Sequence, residues 1–242
     1  MRWVKKLFWP VFASVLAVAL FTVLWSGRTE VESYREMACA FENQKINCLD
    51  SLDDWRSGLA YFDGELNAGR DTLEAFKSLL WNSWNIKFAG PGAEAVTRES
   101  ILPLQVLQNR TSGCMGLVWL AMMVAEARQI PVQPILLPGH VFLKYHCDEA
   151  GDSLCVNLEP NREGFSYTDD EYREKYKSGP WTGFELKPLS AAQLFGLAAF
   201  NMGNTYLDND VHRALTWYRM AEEFFPEYPG ISANQAVAKS RL

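Results

Sequence analysis

The chain has 242 residues, 48% of them hydrophobic and 21% charged, with a formal charge of −6. These figures exclude disorder, collagen or coiled coil for the chain as a whole, and the acidic balance gives no whole-protein field for nucleic acid. Five cysteines are an odd number, so at least one stands outside any intramolecular disulfide.

The charge is unevenly divided. Met1 to Arg28 holds Arg2, Lys5, Lys6 and Arg28 and no acid, so it carries +4 and the remainder −10. Within it, Leu7 to Trp25 is 19 residues without a charge. As a helix that run is about 28 Å long, near the hydrocarbon thickness of a bilayer. Trp3, Trp9 and Trp25 stand near its ends, as interfacial aromatics do. Lys5 and Lys6 ahead of the run predict a cytoplasmic N-terminus. Residues 1–28 thus read as a stub and single transmembrane helix in the inner membrane, with the rest facing the periplasm. A cleaved signal peptide is the competing reading, though Val-Leu-Trp-Ser-Gly-Arg at the exit is a poor cleavage site.

Residues 29–100 read as a mostly helical part. Apolar residues recur at helical spacing over 51–67 and 71–84, with Ser51 or Asp71 able to cap. Gly90, Pro91 and Gly92 mark a loop, and Glu99 to Gln108 a short helix. An exported domain meets an oxidising compartment, so Cys39 with Cys48, and Cys147 with Cys155, are candidate disulfides by spacing. That leaves Cys114 single.

Residues 101–188 carry the pattern of an α+β core. Gly113 to Arg128 is an apolar helix buried on most sides. Ile130–Leu137, Gly139–Cys147 and Leu154–Glu159 are β-prone and predict a small antiparallel sheet. A hairpin folded about Ala150-Gly151 brings His140 and Glu159 near each other. The run from Tyr167 to Tyr176 reads as a solvated helix beside the cleft, or else as the lining of a substrate groove. From 189 to 242 the chain is helical again.

Cys114 starts its helix, where unpaired N–H groups and the helix dipole lower a thiol's pKa and can hold an oxyanion. His140, after Pro138-Gly139, suits a general base, and Glu159 suits a group that orients it. The bland alternatives are a small buried cysteine, a structural histidine and a strand-end carboxylate. Cys114, His140, His146, Cys147 and Cys155 lack CxxC or HExxH spacing, and the chain has no Gly-rich phosphate loop. No metal or cofactor is therefore expected.

Two resemblances sharpen this. Residues 102–132 with LPGHVFLKY and VNLEPN resemble the transglutaminase-like superfamily, nearest its SirB1-like branch, over roughly residues 75–230. Leu104, Val106, Leu107, Arg110, Gly113 and Cys114 match the lead-in and nucleophile helix. Pro138, Gly139 and His140 match the histidine strand. Glu159-Pro160 matches the acidic position, where Asp is commoner. The spacing Gly203, Tyr206, Ala214, Tyr218, Ala221, Pro226 resembles one tetratricopeptide repeat, which cannot bury its own core and must dock on the preceding domain or a partner.

The first resemblance implies a papain-like core and a Cys114–His140–Glu159 triad doing acyl transfer, with Gln108 as an oxyanion side chain. The expectation is thus a membrane-anchored thiol acyl transferase or hydrolase acting on a peptide or amide bond, with a peptide or protein as substrate or partner. The alternative is an inactive scaffold or assembly subunit of an envelope complex.

Overall fold

The computed structural model describes residues 33–43, 45, 47–92, 96–145 and 155–242. Helix α1 (Tyr34–Phe41) begins where Ser33 accepts the Glu36 N–H, an N-cap of the usual kind. Cys39 on its buried face is joined to Cys48, as the spacing predicts. Helix α2 (Asp53–Asn67) starts at Leu52 with no side-chain cap, so Ser51 does not serve, whereas Asp71 caps α3 (Thr72–Lys77) through the Leu73 and Glu74 N–H groups. The chain then leaves α-helical geometry as a π-turn over Ser78–Ser83. Trp84 follows and fills the space over Gly58, where a Cβ would stand 2.3 Å from its indole nitrogen.

Two very short strands come next, β1 (Lys87–Phe88) and β2 (Thr111–Ser112), paired in parallel. Between them lie α4 (Arg98–Ile101) and α5 (Pro103–Asn109). Helix α6 (Cys114–Arg128) runs through the middle of the core. Every residue from Met115 to Ala125 is buried, which is why its sequence is apolar on all sides.

Strands β3 (Val132–Leu137), β4 (His140–Tyr145) and β5 (Val156–Leu158) form an antiparallel sheet in that order, with α6 packed on β3 and β4. The expected α+β core is present. Ile135, Leu137 and Phe142 face the other way and cluster with Tyr172 of α7 (Asp169–Lys175). The exposed edge of β3 is covered by residues 186–189, whose Leu186 and Leu189 N–H groups bond Leu136 and Pro134.

Helices α8 (Ala191–Tyr206), α9 (Val211–Phe224) and α10 (Pro229–Lys239) complete the fold. Helices α8 and α9 pack closely because Gly203 lies under Tyr218. A Cβ there would stand 2.3 Å from the ring, and the Tyr218 hydroxyl donates to Asn204 at 2.8 Å. Gly203→Ala is expected to cost about 1–3 kcal/mol by forcing the helices apart. The measurement is the thermal midpoint, and an unchanged value would rule out this close packing.

The membrane expectation is corrected. Among the described residues no helix is long and apolar enough to cross a membrane. The fold is an α+β core with added helices, and the single-pass, inner-membrane, periplasm-facing assignment is withdrawn. The Leu7–Trp25 run lies outside the described residues. So does Cys147, the expected partner of Cys155, although Cys155 is itself disulfide-bonded.

Candidate active site

Cys114 is held in place by its neighbours on the chain. Arg110 takes a left-handed conformation that ends α5, and its carbonyl accepts the Lys87 N–H at 2.8 Å. The Ser112 carbonyl accepts from Ala89 at 2.9 Å, and the Gly113 N–H donates to Ser100 at 3.1 Å. These bonds fix the turn that delivers Cys114 as the first residue of α6, with Gly113 as N-cap. Gly116, one turn on, allows the helix to press against α4, since a Cβ there would stand 2.2 Å from the Ser100 carbonyl oxygen.

His140 opens β4 directly after a two-residue turn. Gly139 at φ 67 supplies the left-handed conformation that the turn requires, and Leu137 pairs with His140 across it. The register Leu143↔Leu158 between β4 and β5 places residue 159 beside Phe142, on the same sheet face as His140. That register is the one a hairpin about Ala150-Gly151 requires, although the tip lies outside the described residues.

The three side chains meet. His140 Nε2 lies 2.9 Å from Glu159 Oε2, with His140 5% and Glu159 1% exposed. The imidazole is coupled electrostatically to the Cys114 thiol, and with Nε2 taken by Glu159 the nitrogen left for the thiol is Nδ1. Glu159 is itself saturated. Its Oε2 also accepts the Tyr172 hydroxyl at 3.0 Å, and its Oε1 accepts the Asn161 N–H at 3.0 Å. The ring of Tyr176 lies parallel to the imidazole, 5.7 Å between centroids.

Each group is shifted by these contacts. Burial pushes the Cys114 thiol up, but the His140 charge and hydrogen bond, with the Val141 N–H, bring it net below its ordinary value. Burial presses the His140 imidazole down, and the Cys114 and Glu159 charges and hydrogen bonds raise it to about 9. Burial likewise opposes ionisation of Glu159. Its bonds from His140, Asn161 and Tyr172 win, so its carboxyl titrates below the usual range. Tyr172 is pushed up, first by burial and then by Glu159, and stays a donor. The arrangement favours a thiolate beside an imidazolium, backed by a carboxylate.

Cys114 and His140 open on a cleft of about 660 Å³, walled by Phe88, Tyr176, Leu197, Phe200 and Tyr228 among others. Gln108 is not in it. That residue is exposed and lines a separate concavity with Glu42 and Asp53, so the structure does not bring it to the thiol. The first N–H groups of α6, which have no partner within the helix, are donors of the kind that can hold an oxyanion. Tyr172 and Tyr176 belong to the site, and reading their run as a merely solvated helix passes over them. The signal was present, because Tyr167, Tyr172 and Tyr176 recur near helical spacing on an otherwise charged run.

Comparison with known families matches residues 47–194, more than half of the chain, to the model of the transglutaminase-like superfamily. Comparisons with curated proteins and with solved structures matched nothing.

Proposed function

The chain belongs to the transglutaminase-like superfamily, and from that premise we propose that it is a thiol-dependent acyl transferase or hydrolase of peptide amide bonds. Cys114 is the nucleophile, His140 the base and acid, and Glu159 the group that orients and charges the imidazole. The observation that supports this most is the buried His140 ring, 2.9 Å from Glu159 on one edge and sharing its cleft and its electrostatic coupling with the Cys114 thiol.

The chemistry follows from that ring. The Cys114 thiolate attacks the amide carbonyl carbon, forming a C–S bond while the carbonyl electron pair moves to oxygen. The N–H groups at the start of α6 hold that oxyanion. As the pair returns, the C–N bond breaks, and the imidazolium gives its proton to the departing amine. Water or a second amine then attacks the thioester and loses a proton to His140, and the C–S bond breaks to release the thiolate beside the re-formed imidazolium. We further read α8 and α9 as a tetratricopeptide-like hairpin, supported by Gly203 under Tyr218, and the chain as nearest the SirB1-like branch.

Alkylation tests the reading. Cys114 is a free cysteine, while Cys39, Cys48 and Cys155 are disulfide-bonded. At pH 7 an ordinary thiol is only a few per cent thiolate, so iodoacetamide is expected to modify Cys114 about tenfold faster than such a thiol. Intact-mass and peptide mapping read the rate. Ordinary or slower modification would overturn the enzyme reading and leave an interaction module.

A further inference from the structure

Two cations share one ring at the edge of the Cys114 cleft. Lys175 Nζ stands 4.8 Å from the centroid of Tyr167 and 5.6 Å from that of Tyr176, the ring stacked on His140. The Arg162 guanidinium stands 5.9 Å from the Tyr167 centroid and bonds the Tyr167 hydroxyl. Cations nearby are neutralised, Lys87 by Glu163, Lys144 by Asp169, Arg173 by Asp170 and Lys177 by Glu174. Arg162 and Lys175 are not ion-paired among the described residues. Both line the cleft, and no described residue lining it is an Asp or Glu.

That is a local reversal of sign in a chain of formal charge −6. Two like charges held around one ring repel each other, and the arrangement is relieved when an anion sits between them. A guanidinium supplies a planar fork for a carboxylate, and the ammonium supplies a second point charge. The facing wall is of another kind. Leu197 and Phe200 of α8, with Tyr228 just before α10, are apolar or aromatic. They lie beyond residue 194, where the family match ends.

We propose that the acyl donor of this site is an acidic peptide segment. Its carboxylate sits between Arg162 and Lys175, and an apolar side chain beside the reacting carbonyl rests on Phe200 and Tyr228. This rests on the proposed thiol chemistry at Cys114 and names its substrate class. The cations steer and hold the segment from the His140 side, and the helical appendage sets which neighbouring side chain fits.

The test uses the full chain and three peptidyl electrophiles of equal length that alkylate thiols. They carry Glu, Gln or Lys beside a common Leu. The Glu probe is expected to modify Cys114 about tenfold faster than the Gln probe, and the Lys probe to be slowest. The advantage falls as salt is raised. In R162Q/K175Q the Glu-to-Gln ratio collapses toward one, and in R162E/K175E the Lys probe overtakes the Glu probe. Equal rates for the Glu and Gln probes in the wild type, or a ratio that survives in the double variant, would overturn the proposal. Iodoacetamide on the same sample separates the two failures. Fast alkylation with no preference among peptides removes the substrate class alone, whereas slow alkylation removes the thiol chemistry and this proposal with it.

Discussion

Glu159→Ala is expected to destabilise the protein by about 3–5 kcal/mol at neutral pH, because removing one member of a buried pair strands the other. The stranded groups are specific. His140 loses its partner at 2.9 Å, Tyr172 loses the acceptor of its hydroxyl at 3.0 Å, and Asn161 loses the acceptor of its N–H. The imidazole can shed its proton once the carboxylate is gone, which sets the lower end of the range. For a domain of this size the thermal midpoint should fall by about 6–20 °C. The pH dependence carries the sign. The carboxyl of Glu159 titrates below its ordinary value in the folded protein, so its stabilisation is present above about pH 4.3 and is lost as pH falls through the depressed folded value. The gap between wild type and variant should therefore be full at pH 6–7 and narrow in acid. Glu159→Gln separates position from charge. Its amide oxygen still accepts from Tyr172, so its midpoint should lie nearer the wild type, while amide turnover falls because the carboxylate no longer helps Cys114 favour the imidazolium. A Glu159→Ala midpoint within about 2 °C of wild type at pH 7 would show that the carboxylate contributes no net stability.

The parts of the site legible from sequence were those set by local backbone chemistry. A thiol at the first helical position, a Pro-Gly turn before a histidine and a hairpin register all depend on residues adjacent in the chain. The pairing of β4 with β5 accordingly agrees with a hairpin about Ala150-Gly151. What needs distant contacts was hidden. β1 and β2 are two residues each, too short for any alternation, yet their bonds set the turn before Cys114. Gln108 sits at the spacing expected of an oxyanion donor, but α5 ends one residue later and turns it to another concavity. Tyr172 hides among charges because only one face of α7 meets the sheet. The fully buried ring there both packs on Phe142 at 4.3 Å and donates to Glu159. The membrane location rested on an apolar run with its flanking Trp and Lys residues, all of which lie outside the described residues.

The second large effect is in the pH profile of Cys114. Alkylation reports thiolate, and the His140 charge and hydrogen bond are what offset burial and lower the thiol. In the wild type the rate should stay on a plateau well below the ordinary thiol value near 8.5 and fall only in acid. In His140→Gln the charge is gone, so burial dominates and the thiol titrates at or above that ordinary value. At pH 6.5 the thiolate fraction, and with it the alkylation rate, should then drop about a hundredfold. Alkaline behaviour distinguishes the two roles of the pair. The imidazolium, raised to about 9, loses its proton as pH passes that value, while the thiolate remains. Alkylation should therefore not fall above pH 9, but amide cleavage should, because the leaving amine has lost its proton donor. A bell-shaped turnover profile over a one-sided alkylation profile identifies His140 as the acid. If the two profiles coincide through pH 10, proton donation by His140 does not limit the reaction. If His140→Gln leaves the acid limb of alkylation in place, the N–H groups of α6 and Val141 alone hold the thiolate.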